Sequence, residues 1–178
     1  MKKIAKEMLT IFVTVFLIVF IAFSILEIKQ SNELVLLSER ASYLTTTKHL
    51  KLKASKPLEK MIADAEQDGM CLVAISAFRT AEQQELMFNA NEKGTTAFPG
   101  TSEHEKGIAV DLTACPMSDG VRNDSVERPE LANDFETLPE YQWLVDNASV
   151  YNFEQSYTKE NTQETGIVAE SWHWRYVN

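Results

Sequence analysis

The stretch MLTIFVTVFLIVFIAFSIL, Met8 to Leu26, runs nineteen residues without a charge. As a helix it rises about 28 Å, close to the ~30 Å of hydrocarbon in a bilayer. A cleavable leader has a shorter apolar region, roughly 7 to 15 residues, that ends in a small-x-small site. Here the run passes into SILEIKQ, which offers no such site. The segment is therefore expected to be an uncleaved signal anchor. Lys2, Lys3 and Lys6 precede it, so the positive-inside bias holds the short N-terminus in the cytoplasm and exports everything after about residue 28. The expected location is the cytoplasmic membrane, crossed once, with the folded part extracytoplasmic.

At 178 residues and 44% hydrophobic composition, the chain can bury one core but hardly two. The formal charge is −9; residues 1–28 carry +1 of it (Lys2, Lys3, Lys6 against Glu7, Glu27), leaving −10 on the remainder. So acidic a domain excludes nucleic acid as a natural partner and disfavours anionic lipid. A monomer is expected. Cys71 and Cys115 can pair in an exported domain, and closing a loop of that length adds about 4 kcal/mol. Two buried thiols fit the sequence equally well.

Residues 29–54 are weakly patterned and end in a basic cluster, KHLKLKASK, so they read as a stalk between the anchor (1–28) and a domain spanning 55–178. His49, inside that cluster, reads as a solvated surface histidine. The domain then opens with SKPLEKMIADAEQDG, where Ser55 can cap, Pro57 is tolerated in a first turn, and Leu58, Met61, Ile62 and Ala65 recur at helical spacing. CLVAISAF reads as a buried strand, and Thr80 with Gln83 forms a capping box for a second helix reaching about Asn91. A loop and the strand IAVDLTAC, 108–115, follow. Residues 116–135 are polar and aperiodic, a long loop of the kind that is often functional. Thr137 and Glu140 suggest a capping box for a third helix, and two strands close the chain around NFEQSYT and GIVAESWHWRYV. Helices and strands mix without regular βαβ alternation, which predicts an α+β fold with a small, mainly antiparallel sheet and flanking helices.

Within IAVDLTA, Ile108, Val110 and Leu112 point to one face and Ala109, Asp111 and Thr113 to the other. Asp111 thus stands opposite the apolar residues, and Gly107 lets the chain turn so that His104 folds back over that same face. The remaining histidine outside the basic cluster is His173. Two imidazoles and a carboxylate suit Zn²⁺, with a fourth position left for water. Spacing alone does not separate such a site from ordinary hydrogen-bonded polar residues.

Three motifs in order do more. SEHEKGIAVD, ESWHWRYV and SAFRT, the last with a glutamine five residues after its arginine, resemble the peptidase M15 family of D-alanyl-D-alanine carboxypeptidases, the VanY-like branch of the LAS metallopeptidases. The resemblance covers about residues 55–178 and implies the LAS/Hedgehog-like zinc peptidase fold. It also implies one Zn²⁺ per chain on His104, Asp111 and His173, with Glu170 as general base. Arg79 would face the substrate carbonyl, and Ser102 and Gln84 would lie near the substrate's terminal carboxylate. Glu170 and His173 are three apart and would fall on opposite faces of a regular strand, so a turn or bulge is expected around Ser171. Glu103 and Glu105 read as solvated, with a bond to the His104 imidazole as the alternative; Trp172, Trp174 and Tyr176 read as core or cleft wall.

The implied function is a membrane-anchored hydrolase removing the terminal D-alanine from peptidoglycan stem peptides or their precursors. The alternatives are an L,D-carboxypeptidase acting on tetrapeptide stems and a non-catalytic cell-wall-binding domain that keeps the zinc fold. Two departures from the family pattern stand out: Phe78 replaces the usual tyrosine before Arg79, and the sequence stops at Asn178 directly after RYV. The second leads one to expect the last strand at an exposed end.

Overall fold

A computed structural model describes residues 2–39, 41–42, 48–91, 94–115, 117–118, 121–122 and 134–177. Helix α1 (Lys2–Ser31) comes first, followed by strands β1 (Leu34–Leu36) and β2 (His49–Lys51). Helix α2 (Leu52–Gln67), strand β3 (Leu72–Ser76), helix α3 (Ala81–Ala90) and strand β4 (Ala109–Ala114) form the middle of the chain. The rest comprises β5 (Met117–Ser118), β6 (Val121–Arg122), α4 (Pro139–Asn147), β7 (Phe153–Gln155), α5 (Thr162–Thr165) and β8 (His173–Tyr176).

Contacts divide the chain into two compact units, Met1–Glu33 and Leu34–Asn178. In the first, Thr10–Ser31 is long and apolar enough to cross a membrane, a property shared by membrane anchors and signal sequences. Its apolar side chains project on all sides, as they do on helices whose solvent is lipid. The hydroxyls of Thr14 and Ser24 donate to the carbonyls four residues back, so these polar groups are satisfied within the helix itself.

The second unit is an α+β domain around a four-stranded antiparallel sheet ordered β3-β4-β8-β7. Its register follows from which side chains need burial. Val110 and Leu112 of β4 and Trp174 of β8 enter one hydrophobic core, joined by Leu58, Met61, Ile62 and Ala65 of α2 and by Trp143 and Leu144 of α4. With Val110 opposite Trp174, the next pair, Asp111 opposite His173, must point the other way. On α3 the capping box forms: Thr80 Oγ1 accepts from Gln83 N at 3.2 Å and Gln83 Oε1 from Thr80 N at 2.9 Å.

Several expectations are corrected. The domain starts at Leu34, not at 55, because residues read as stalk are structural: β1 pairs with β2, Leu37, Ala41, Leu50 and Ala54 are buried, and Ala74 N donates to Ala41 O. Three-residue strands are too short to register as a pattern. Helix α2 starts at Leu52, so Ser55 is inside it, its hydroxyl donating to Leu52 O, and Pro57 falls beyond the first turn. The Thr137–Glu140 capping box does not form. Thr137 Oγ1 instead donates to Asp134 O, closing a 3₁₀ turn over Phe135–Thr137, and α4 starts from Pro139 at its N-terminal position. Far from an exposed end, β8 is an inner strand, flanked by β4 and β7. Most of the 116–135 loop lies outside the described residues.

Cys71 and Cys115 form a disulfide with their Cα atoms 5.2 Å apart, fastening the start of β3 to the end of β4, where Cys115 N also donates to Cys71 O at 2.7 Å. The bridge closes a separation of 44 residues. Replacing both cysteines by alanine should lower the unfolding free energy by about 4 kcal/mol in guanidinium titrations; an unchanged midpoint would mean the loop is already constrained without the bond.

Candidate metal centre

Asp111 and His173 face each other across the β4–β8 ladder, and Ser76 lies opposite Asp111 on the other side, after a register shift that lets β3 run out towards Arg79. His104 arrives from the loop before β4. Gly107 closes that loop at φ +65, its N–H bonded to His104 O, and a Cβ there would sit 3.0 Å from Leu34 Cδ2 and 3.2 Å from Lys51 Cγ. Such a turn strongly favours glycine. Arg79 N donates to His104 O as well, so the two loops are tied at the backbone.

The three side chains converge. His104 Nε2 lies 3.2 Å from Asp111 Oδ1 and 3.2 Å from His173 Nδ1, and His173 Nδ1 lies 3.1 Å from Asp111 Oδ1. All three residues are buried. Their outer atoms decide what they can bind. His104 Nδ1 sits 2.6 Å from Ala77 O, which can only accept, so that nitrogen carries the hydrogen. His173 Nε2 sits 2.9 Å from the Glu103 carboxylate and carries one likewise. In neutral imidazoles this leaves both inner nitrogens as lone pairs, turned towards a carboxylate oxygen. Three acceptors packed this closely need a cation or a proton between them, so the donor set fits a metal ion. Without the metal a proton takes that place: burial opposes charge on His173, but hydrogen bonds to Asp111 and Glu103 push it up to about 9. Burial keeps His104 below the usual histidine range. Asp111 stays well below the carboxylate range because the two histidines outweigh its burial.

The other expected residues line the same cleft, whose volume is about 110 Å³. The chain turns at Ser171 and Trp172, His173 N bonding back to Glu170 O, and this turn sets Glu170 Oε2 3.7 Å from His173 Nδ1. Burial is the chief cause that raises the Glu170 carboxyl to about 7. Arg79 donates through Nη2 to Asp111 Oδ2 at 2.9 Å, through Nη1 to Gln84 Oε1 at 3.2 Å and through Nε to Ser76 Oγ at 3.3 Å. Gln84 is fully buried and also donates to Ala97 O, so it holds Arg79 besides lining the cleft. Ser102 is buried on the wall, and His49 is exposed on β2. Trp172 lines the cleft, whereas Trp174 packs in the core.

Two residues of the site escaped the sequence. Glu103 is buried, not solvated, and it contacts His173, not its neighbour His104. Tyr157 lines the cleft with its ring centroid 4.8 Å from that of His173. Burial, then Glu103 and Glu170, push its phenol up to about 12, so it stays a hydrogen-bond donor at neutral pH. Nothing in SYT marks it. Glu105 has a local task, accepting from Gly100 N.

Two histidines and an aspartate beside a buried carboxyl and a guanidinium are the constellation of a metallohydrolase. Residues 47–178 match the family VanY, D-alanyl-D-alanine carboxypeptidase, and the chain belongs to that family. It is 31% identical over 151 residues to the D-alanyl-D-alanine carboxypeptidase of Enterococcus faecalis, covering 75% of this chain and 50% of that protein. It thus spans about half the length of the curated relatives it matches. Among solved structures, the LdcB LD-carboxypeptidase, whose structure concerns peptidoglycan recognition, superposes with a TM-score of 0.68 at 27% identity, covering 82% of this chain and 68% of that one. The vancomycin-resistance D,D-pentapeptidase VanY of the VanB-type cassette, in complex with Zn(II), gives a TM-score of 0.57 at 26% identity, covering 83% and 80%.

His104→Ala should lower the zinc content of the purified protein relative to the unsubstituted chain, read by elemental analysis, while His49→Ala leaves it unchanged. Full zinc occupancy in the first variant would remove His104 from the ligand set.

Proposed function

We propose that this protein is a zinc-dependent carboxypeptidase that hydrolyses the bond before the C-terminal D-alanine of peptidoglycan stem peptides. The single observation that carries this reading is the convergence of His104 Nε2, Asp111 Oδ1 and His173 Nδ1 next to the buried carboxyl of Glu170. One Zn²⁺ per chain would be held by those three atoms. When bound, it supplies Lewis acidity and lowers the pKa of water to about 7.

Glu170 takes a proton from the attacking water and delivers it to the nitrogen of the departing alanine as the C–N bond breaks. A carboxyl displaced towards 7 suits both transfers at neutral pH. Arg79 has three of its five N–H groups engaged by Ser76, Gln84 and Asp111. Its guanidinium lines the cleft, where its positive charge would face a carbonyl oxygen that becomes negative, and its anchoring means little reorganisation in the transition state. Ser102, Gln84 and Tyr157 offer donors for the substrate's terminal carboxylate, and a cleft of about 110 Å³ suits a small final residue. With α1 as a signal anchor, the domain works on the outer side of the cytoplasmic membrane, where the wall is built. The membrane is then a partner through α1, and the wall peptide through the cleft.

A second reading, removal of D-alanine from tetrapeptide stems across an L,D bond, is favoured by the similarity to the LdcB LD-carboxypeptidase. Incubating the zinc-loaded full chain with pentapeptide and tetrapeptide stems separates the two. D-alanine is expected from the pentapeptide, with a chelator abolishing release; release from the tetrapeptide alone would select the second reading, and none from either would end both. Glu170→Gln should keep its zinc and lose about 10²–10⁴-fold in kcat. Unchanged turnover in that variant would take the base role away from Glu170.

A further inference from the structure

The side chain of Glu103 is the most densely bonded carboxylate next to the metal centre, yet it reaches neither the triad's interior nor the cleft wall. Its Oε2 accepts from His173 Nε2 at 2.9 Å and from the Ser156 hydroxyl, and its Oε1 accepts from Arg175 Nη1 at 2.7 Å. Arg175 is itself fixed by Glu154 of the neighbouring strand β7. Three donors from two parts of the chain thus hold one carboxylate in one orientation, against one ring nitrogen.

We infer that Glu103 is a positioning residue: it fixes His173 with hydrogen on Nε2 and so presents the Nδ1 lone pair to the metal. This rests on the reading of His173 as a zinc ligand. A neutral imidazole has one N–H and one lone pair, and an acceptor-only group at Nε2 dictates which is which. A carboxylate there also makes the ring a stronger ligand, as such partners do for metal-bound histidines in general. Arg175 adds selectivity. It occupies Oε1, so the carboxylate cannot rotate away from the ring, and it excludes any donor group from that corner.

Arg175 also makes the inference testable, because an amide cannot satisfy both neighbours. In Glu103→Gln the side chain either turns its NH₂ towards His173, demanding a lone pair on Nε2 and moving the hydrogen to Nδ1, or turns it against the Arg175 guanidinium. Either way the ligand is lost or strained. Removing the guanidinium relieves the second conflict, so Glu103→Gln combined with Arg175→Met lets the amide oxygen accept from His173 again.

The experiment measures zinc affinity of the full chain by competition with a chromogenic chelator, alongside the nitrogen NMR spectrum of the histidine rings in the zinc-loaded protein. Wild type should show a slowly exchanging Nε2–H on His173. Glu103→Gln should bind zinc roughly 10- to 100-fold more weakly, and the double variant should recover part of that loss. Equal zinc affinity in wild type and Glu103→Gln, or further weakening in the double variant, would overturn the inference. So would an Nδ1–H on His173 in the loaded wild type, a measurement that needs no variant to fold. Failure of wild type to bind zinc at all would instead defeat the metal reading of the site.

Discussion

The pairing of β4 with β8 at Asp111 and His173 is what the centre depends on, because the ladder brings together two residues 62 apart in the chain, whose side chains then meet at 3.1 Å. A slip of one residue in that ladder would turn His173 into the core and expose Trp174 in its place. The register is held from the other face. Val110, Leu112 and Trp174 must all be buried against α2 and α4, and satisfying them leaves Asp111 and His173 no choice of side. The chemistry of one face is thus set by the packing of the other.

That face is costly to maintain. Asp111, Glu103 and Glu170 are buried around the His173 ring, at 3.1, 2.9 and 3.7 Å from its nitrogens, and burial disfavours every charged form. Two of them are compensated: Asp111 by Arg79 and the histidines, and Glu103 by Arg175, Ser156 and His173, which hold its carboxyl down at about 2 although burial pulls it up. Glu170 is the exception, raised to about 7. The His173 ring 3.7 Å away and the Arg79 guanidinium pull it down, but not enough to outweigh its burial. The disulfide, the inner position of β8 and the pairing of β1 with β2 supply rigidity around these unfavourable burials.

Elements with strong local signals were legible. The Thr80–Gln83 box, the buried strand after Cys71 and the helical spacing of Leu58, Met61, Ile62 and Ala65 each need only near neighbours to act, and each is present. Signals of equal local strength failed where a tertiary contact offered more. Thr137 gave its hydroxyl to a preceding carbonyl, and the nominal stalk was drawn into the core by a pairing partner fifteen residues away. The expected site residues gather at one cleft because motifs carry them, whereas Glu103 and Tyr157 belong to no pattern visible in one dimension.

From its residues alone the chain declared an apolar N-terminal helix, an α+β domain, and a strand whose parity puts Asp111 opposite the apolar side chains. These follow from period and composition, which are properties of neighbours in sequence. Only the tertiary structure decided which nitrogen of each histidine faces inward, since that depends on acceptors supplied by Ala77 and Glu103, 27 and 70 residues away from the rings they orient. A sequence names the donor atoms available; the direction of a lone pair is set by whatever the fold places behind it.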